Sequence, residues 1–210
     1  MSLADYRNEY GKYQLPDKDL LNDPKEQFHK WLKDAMDNNA PEPTAMTLST
    51  VNKEGQPTAR IVLLKGYDAN GLCFYSNYES RKGQELVQNS KACLSFFWPT
   101  MQRQVRFEGS VKRTPRSESQ AYFRSRPLSS KINAWASPQS KPISSDDLRE
   151  RSEHYAQLLG ADPECPPFWG GYYLQPEYIE FWQGRTDRLH DRYAFSDNKD
   201  GGWTITRLGP

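Results

Sequence analysis

Apolar residues recur along the chain at two spacings, and the spacings divide it into elements. Asp23-Pro24 offers an N-cap followed by a proline suited to a first helical turn. Phe28, Trp31, Leu32, Ala35 and Met36 follow at i, i+3, i+4, i+7 and i+8, predicting an amphipathic helix over about 24–38. Pro41 and Pro43 stop it. Thr44–Val51 and Pro57–Gly66 read as strands on either side of a Glu54-Gly55 turn. Asn70-Gly71 is a hairpin signal, with Leu72–Asn77 continuing behind it. Ser80 can cap a short helix over about 81–89. Ala92–Trp98 and Gln102–Lys112 are the next strands, and Gly109 suggests a bulge or bend.

Pro115–Arg124 reads as helix, and residues 125–143, rich in Ser, Pro, Arg and Lys, as an irregular loop. A helix starts near Ser144, with Leu148, Tyr155, Leu158 and Leu159 as candidate core positions. Gly170–Trp182, interrupted by Pro176, reads as a hairpin, and Arg192–Phe195 and Trp203–Leu208 as final strands. Residues 1–22 are polar and read as a mobile arm before a single domain, 23–210. Consecutive strands with few intervening helices predict an α+β, mostly β fold: an antiparallel sheet or barrel with peripheral helices.

Composition narrows the function. The 28 Lys+Arg nearly balance 27 Asp+Glu, a net charge of +1 that argues against a general nucleic-acid binder. The mean hydropathy is −0.93 and the longest clear apolar run is Ile61–Leu64, so no membrane span is expected. The N-terminus shows no apolar signal region, and the expected location is cytoplasmic. Cys73, Cys93 and Cys165 are widely spaced, which fits a reducing compartment rather than a disulfide framework. His29, His154 and His190 form no zinc spacing, and no metal site is expected.

Four segments carry candidate chemistry. Arg60 and Lys65 bracket an apolar strand on opposite parities; they face anions or simply reach solvent. Arg81 and Lys82 follow Ser80 in a first helical turn, where cations oppose the helix dipole unless an anion docks there. Tyr122, Arg126 and Ser130 are residue types that bind phosphate monoesters. In extended geometry Arg188, His190 and Arg192 share one face, a repulsive set that needs an anion, ligand or carboxylate.

These segments resemble the pyridoxamine/pyridoxine 5'-phosphate oxidase family of FMN enzymes. The resemblance is carried by Arg60-Ile-Val-Leu-Leu-Lys65, Phe74-Tyr-Ser-Asn77, Ser80-Arg-Lys-Gly83, Arg103-Gln-Val105, Ser125-Arg-Pro127, Trp169-Gly-Gly171, Glu180-Phe-Trp-Gln-Gly184 and Arg188-Leu-His-Asp-Arg192. It implies an antiparallel FMN-binding split β-barrel with peripheral helices, working as a homodimer with FMN at the subunit interface. By this resemblance Arg60, Ile61, Val62, Leu63, Leu64, Lys65, Tyr75, Ser76, Arg81, Lys82, Gln104, Gln139, Ser140, Trp182 and Arg192 would contact FMN. Lys65, Tyr122, Arg126 and Ser130 would hold the substrate phosphate, and Arg188, Leu189 and His190 would sit at its ring. Arg7 and Tyr10 would fold over the site as part of a lid. Arg188 and His190 are the implied catalytic residues.

The implied reaction is oxidation of pyridoxamine or pyridoxine 5'-phosphate to pyridoxal 5'-phosphate. A hydride passes from C4' to N5 of FMN, and O2 is reduced to H2O2. Two alternatives remain. A split-barrel flavin reductase would need neither Arg126 and Ser130 nor Arg188 and His190. A non-enzymatic binder of flavin, pyridoxal phosphate or RNA would leave the ring-site motif unexplained.

Overall fold

The structure is a computed structural model and describes residues 3–5 and 9–210. Five α-helices and nine strands are found among these residues. The helices are α1 (Pro24–Asp37), α2 (Arg81–Gln88), α3 (Arg116–Ser125), α4 (Leu128–Ala136) and α5 (Ser145–Leu159). The strands are β1 (Ala45–Val51), β2 (Pro57–Leu63), β3 (Gly66–Asp68), β4 (Gly71–Asn77), β5 (Lys91–Trp98), β6 (Arg103–Arg113), β7 (Trp169–Gln183), β8 (Asp191–Asp197) and β9 (Trp203–Leu208). Their order is β2-β1-β5-β6-β7-β4-β3, with β8 on β7 and β9 on β8.

The chain forms two compact units: Met1–Leu48, Cys93–Gly109 and Pro176–Pro210, and Ser49–Ala92 with Ser110–Gln175. In the first, α1 starts where expected, with the Asp23 carboxylate accepting from the Lys25 N–H at 2.7 Å. Phe28, Trp31 and Ala35 are fully buried, whereas Met36 is half exposed. Phe28 meets Phe107 edge to face at 4.9 Å, and Trp31 meets Phe181 likewise at 5.3 Å. Residues 1–22 read as mobile from their polarity, yet residues 11–17 are pinned. Gln102 Oε1 accepts the Gly11 and Lys12 N–H groups, and the Asp191 carboxylate accepts that of Leu15, whose side chain is buried.

In the second unit, β4 pairs antiparallel with β7, Tyr75 opposite Gly171 and Asn77 opposite Trp169. Phe74 stacks on Tyr172 at 5.3 Å across that ladder. Ser80 caps α2 by accepting from the Gly83 N–H. The expected strand over 57–66 divides into β2 and β3 at Leu64-Lys65, where Leu64 is buried and Lys65 exposed.

Three further expectations are corrected. Residues 125–143 are not irregular throughout: Pro127 precedes α4, which buries Ile132 and Ala136. Its composition hid a helical pattern whose other face is polar. Helix α5 forms behind a Ser144 cap, but it buries none of its residues, Leu158 included. Gly170–Trp182 is no hairpin but part of the continuous strand β7. Pro176 falls between the β4 ladder, which ends at Leu174, and the β8 ladder, which begins at Tyr178, so neither of these two ladders calls on the N–H that proline lacks.

Candidate active site

A cleft of about 460 Å³ opens in the unit made of Ser49–Ala92 and Ser110–Gln175. One wall is the Ile61–Leu63 stretch of β2, followed by Lys65. Ile61 and Leu63 point outward because β2 alternates, which leaves two apolar side chains free to meet a flat ligand. The end of β4 contributes Tyr75, Ser76 and Asn77, and the first turn of α2 contributes Lys82. Tyr122 and Arg126 lie four residues apart, at the end of α3 and just after it. Ser130, Asn133, Ala134 and Ser137 follow at i, i+3, i+4 and i+7, so one face of α4 and its C-cap completes the lining.

Three parallel rings form the aromatic part. Tyr75 stacks on Tyr122 at 3.9 Å and on Trp169 at 5.5 Å. The glycine opposite Tyr75 is required, since a Cβ on Gly171 would stand 2.8 Å from the Tyr75 ring. Burial, first of all, raises the Tyr75 hydroxyl well above its usual range, so it stays a neutral donor.

The electrostatics are one-sided. Lys65, Lys82 and Arg126 line the cleft, and among the described residues no carboxylate does. Lys82 is buried, and burial followed by the nearby Arg60 charge lowers its pKa. Burial also lowers that of Arg126, whose Nη1 is buried without a hydrogen-bond partner among the described residues. A buried N–H donor without a partner is costly, and an anionic ligand offsets that cost.

Arg60 and Arg81 are placed differently. Both bond the buried Glu85, Arg60 through Nη2 at 3.1 Å and Arg81 through Nε at 2.9 Å. Thr58 and Thr50 also donate to this carboxylate. Burial pushes the Glu85 pKa up, but the hydroxyls, Arg81 and Arg60 outweigh it and hold it down at about 2.

The second cluster lies in the other unit. Its expected extended run is broken: residues 186–188 form a 3-10 turn in which Asp187 and Arg188 have φ of 55° and 60°. Arg188, His190 and Arg192 therefore do not share a strand face. Arg188 and Leu189 are exposed. His190 packs on Trp182 at 4.6 Å and on Tyr10 at 6.3 Å, and its Nδ1 accepts the Arg185 N–H at 3.1 Å. That bond assigns the neutral tautomer with its proton on Nε2. Burial, then Arg188 and Arg192, lowers the His190 pKa. Tyr10 lies over Gly184, where a Cβ would stand 2.8 Å from its ring. Arg192 bonds Glu180 at 3.0 Å.

The family profile described as pyridoxamine 5'-phosphate oxidase matches residues 32–156, and the pyridoxine 5'-phosphate oxidase C-terminal dimerisation region matches residues 169–210. The chain belongs to the pyridoxamine 5'-phosphate oxidase family. It is thus a member of a family of FMN-dependent oxidoreductases. A pyridoxine/pyridoxamine 5'-phosphate oxidase of Bordetella pertussis is 50% identical over 210 residues, all of both chains. The namesake of Cupriavidus metallidurans is 51% identical over 209 residues, 99% of each. Among solved structures, PhzG of Burkholderia lata, in complex with tetrahydrophenazine-1-carboxylic acid, superposes with a TM-score of 0.88 at 28% identity, over 95% of this chain and 99% of that one. An FMN-binding protein of Nostoc punctiforme superposes at 0.75 and 16% identity, over 91% and 100%, and supports the fold alone.

The cleft fits the family's cofactor by its donor set: apolar side chains on β2, stacked rings, three cations and the amides of Asn133 and Gln139, with Gln139 within 3.3 Å of Ser76 Oγ. Of the family residues carried over by motif, the lining includes Ile61, Val62, Leu63, Lys65, Tyr75, Ser76, Lys82, Tyr122, Arg126, Ser130 and Gln139. Leu64, which is buried, and Ser140, which is exposed at φ 70°, are not among the lining residues. Gln104, Trp182, Arg188, Leu189, His190 and Arg192 belong to the other unit, as does Tyr10, and Arg7 lies outside the described residues. Sequence reasoning missed Asn77, Asn133, Ala134, Ser137 and Trp169 as lining. For α4 the signal was the i, i+3, i+4, i+7 spacing, obscured by Ser-Pro-Arg composition.

Proposed function

We propose that this chain oxidises pyridoxamine 5'-phosphate and pyridoxine 5'-phosphate to pyridoxal 5'-phosphate, with O2 as the electron acceptor. The observation that carries this is the cleft in which Lys65, Tyr122, Arg126 and Ser130 converge, with no carboxylate in its lining and no partner for the buried Nη1 of Arg126 among the described residues. Bound FMN supplies the hydride acceptor and the route to O2. Everything else falls to the side chains. Lys65, Arg126, Tyr122 and Ser130 grip the substrate phosphate, and that remote binding energy orients the ring. Lys82 serves the cofactor phosphate, with Arg60 and Arg81 held nearby by Glu85.

Arg188 fixes the substrate ring as a hydrogen-bond donor, not as a base. His190, neutral at pH 7, donates from Nε2 to a ring oxygen. Residues 1–22 serve as an arm over the site and 23–210 as the catalytic domain. Two copies associate through the 169–210 region, and the enzyme works in the cytoplasm. Among the described residues no helix is long and apolar enough to cross a membrane.

A flavin reductase acting on an unphosphorylated partner has no use for a second set of phosphate donors. Aerobic turnover of pyridoxamine 5'-phosphate with added FMN, following the aldehyde, tests the proposal. FMN-dependent product supports it. FMN binding without product means that the substrate is another one.

A further inference from the structure

Arg126 ends α3 in extended backbone, ψ 150°, because Pro127 forbids a further helical turn. Its guanidinium carbon lies 4.6 Å from the centre of the Trp169 ring and 5.5 Å from that of Phe123. The two rings meet edge to face at 5.1 Å. Trp169 is itself braced: its carbonyl accepts from Arg116 Nη1 at 2.8 Å, and its N–H donates to Pro166 at 3.1 Å. A carboxylate that orients an arginine also takes up its charge and its in-plane donors. An aromatic face orients the guanidinium from above and leaves the in-plane N–H groups for a ligand. The partnerless Nη1 at the carboxylate-free cleft is the result.

We propose that Trp169 is a positioning residue: its indole face sets Arg126 for phosphate recognition and so determines the preference for phosphorylated over unphosphorylated ligands. This rests on the reading of Arg126 as a phosphate-binding residue, and the experiment separates the two ideas. Pyridoxal 5'-phosphate and pyridoxal are titrated into the FMN-loaded protein, with binding read from the flavin absorbance. Trp169→Leu removes the π face and is expected to raise the Kd of the phosphate ester roughly tenfold, while the Kd of pyridoxal moves by less than about twofold. Trp169→Phe keeps a π face and is expected to restore most of the ester affinity.

Thermal melting reports whether each variant is folded; should Trp169→Leu fail to fold, Trp169→Met replaces it in the comparison with Trp169→Phe. Equal weakening of both ligands overturns the proposal, as does unchanged ester affinity in the folded variant without a π face. Arg126→Leu is the control. If it binds the ester as tightly as the native chain, the phosphate reading of Arg126 fails. If it weakens the ester and the Trp169 variants do not, the positioning role alone fails.

Discussion

Cations are treated in opposite ways in the scaffold of the first compact unit and in the cleft of the second. In the first, Arg103, Arg106, Arg185, Arg192 and Arg207 each bond a carboxylate, two of them sharing the buried Asp191 and two the buried Glu180. In the second, Lys65, Lys82 and Arg126 line a cleft with no carboxylate in it among the described residues. Paired charges satisfy each other and hold chain segments in place. Charges left without a counter-ion keep their donors for a ligand, and the desolvation they suffer is offset when an anion arrives. Glu85 shows both regimes side by side. It ties down Arg60 and Arg81, while Lys82, between them in function and adjacent to Arg81 in sequence, lines the cleft.

The contrast is sharpened most by removing a scaffold carboxylate. Asp191 receives Arg185 at 2.9 Å, Arg207 at 3.0 Å and the Leu15 N–H at 3.0 Å. Asp191→Ala leaves those donors stranded and is expected to cost about 3 kcal/mol, read by urea denaturation. A change within error would show that the pairs are decorative.

Acid provides the next test. Above pH 4.5 Glu85 is ionised in both folded and unfolded chains, and its bonds contribute fully. As pH falls from 4.5 toward about 2 the unfolded chain takes the proton first, so this contribution is progressively lost. The loss is on the order of 3 kcal/mol. Glu85→Gln is expected to be less stable at pH 7 and to show a flatter stability profile between those limits. Parallel profiles would refute the assignment.

A smaller effect is expected for Arg126→Leu, and on a different axis. Turnover efficiency for pyridoxine 5'-phosphate is expected to fall by roughly 10- to 100-fold, the worth of one charge-assisted contact. Stability is expected to hold or rise, because a buried Nη1 without a partner among the described residues is gone. A large loss of stability would place Arg126 with the scaffold arginines. The smallest shift is expected at His190, which titrates below its ordinary 6.5 because of burial, Arg188 and Arg192. Arg188→Leu should move it upward, followed by ring-proton NMR. No upward movement would mean that Arg188 does not act on that ring.

The helix at 24–37, the β4 hairpin and the Ser80 cap were legible because each depends on residues within one or two turns of one another. Helix α4 was not, since its stabilising contacts are a buried Ile132 and Ala136 inside an otherwise polar stretch. The continuity of β7 through Pro176 depends on which strands flank it, and that is a long-range fact. Within the site, the phosphate-binding residue types and the family motifs stood out in the chain. Trp169 did not, for its value lies in the ring it presents to Arg126, 43 positions away.

Local order and chemical inventory were thus written in the residue order: caps, periodicities, turn dipeptides, and the cations and hydroxyls that suit a phosphate. Their allocation was not. Arg60 and Arg81 go to Glu85 while Lys82 and Arg126 face the cleft, although all four look alike as residues in a sequence. A charge is structural or functional according to what lies within a few ångströms of it, and that distance exists only once distant segments have folded together.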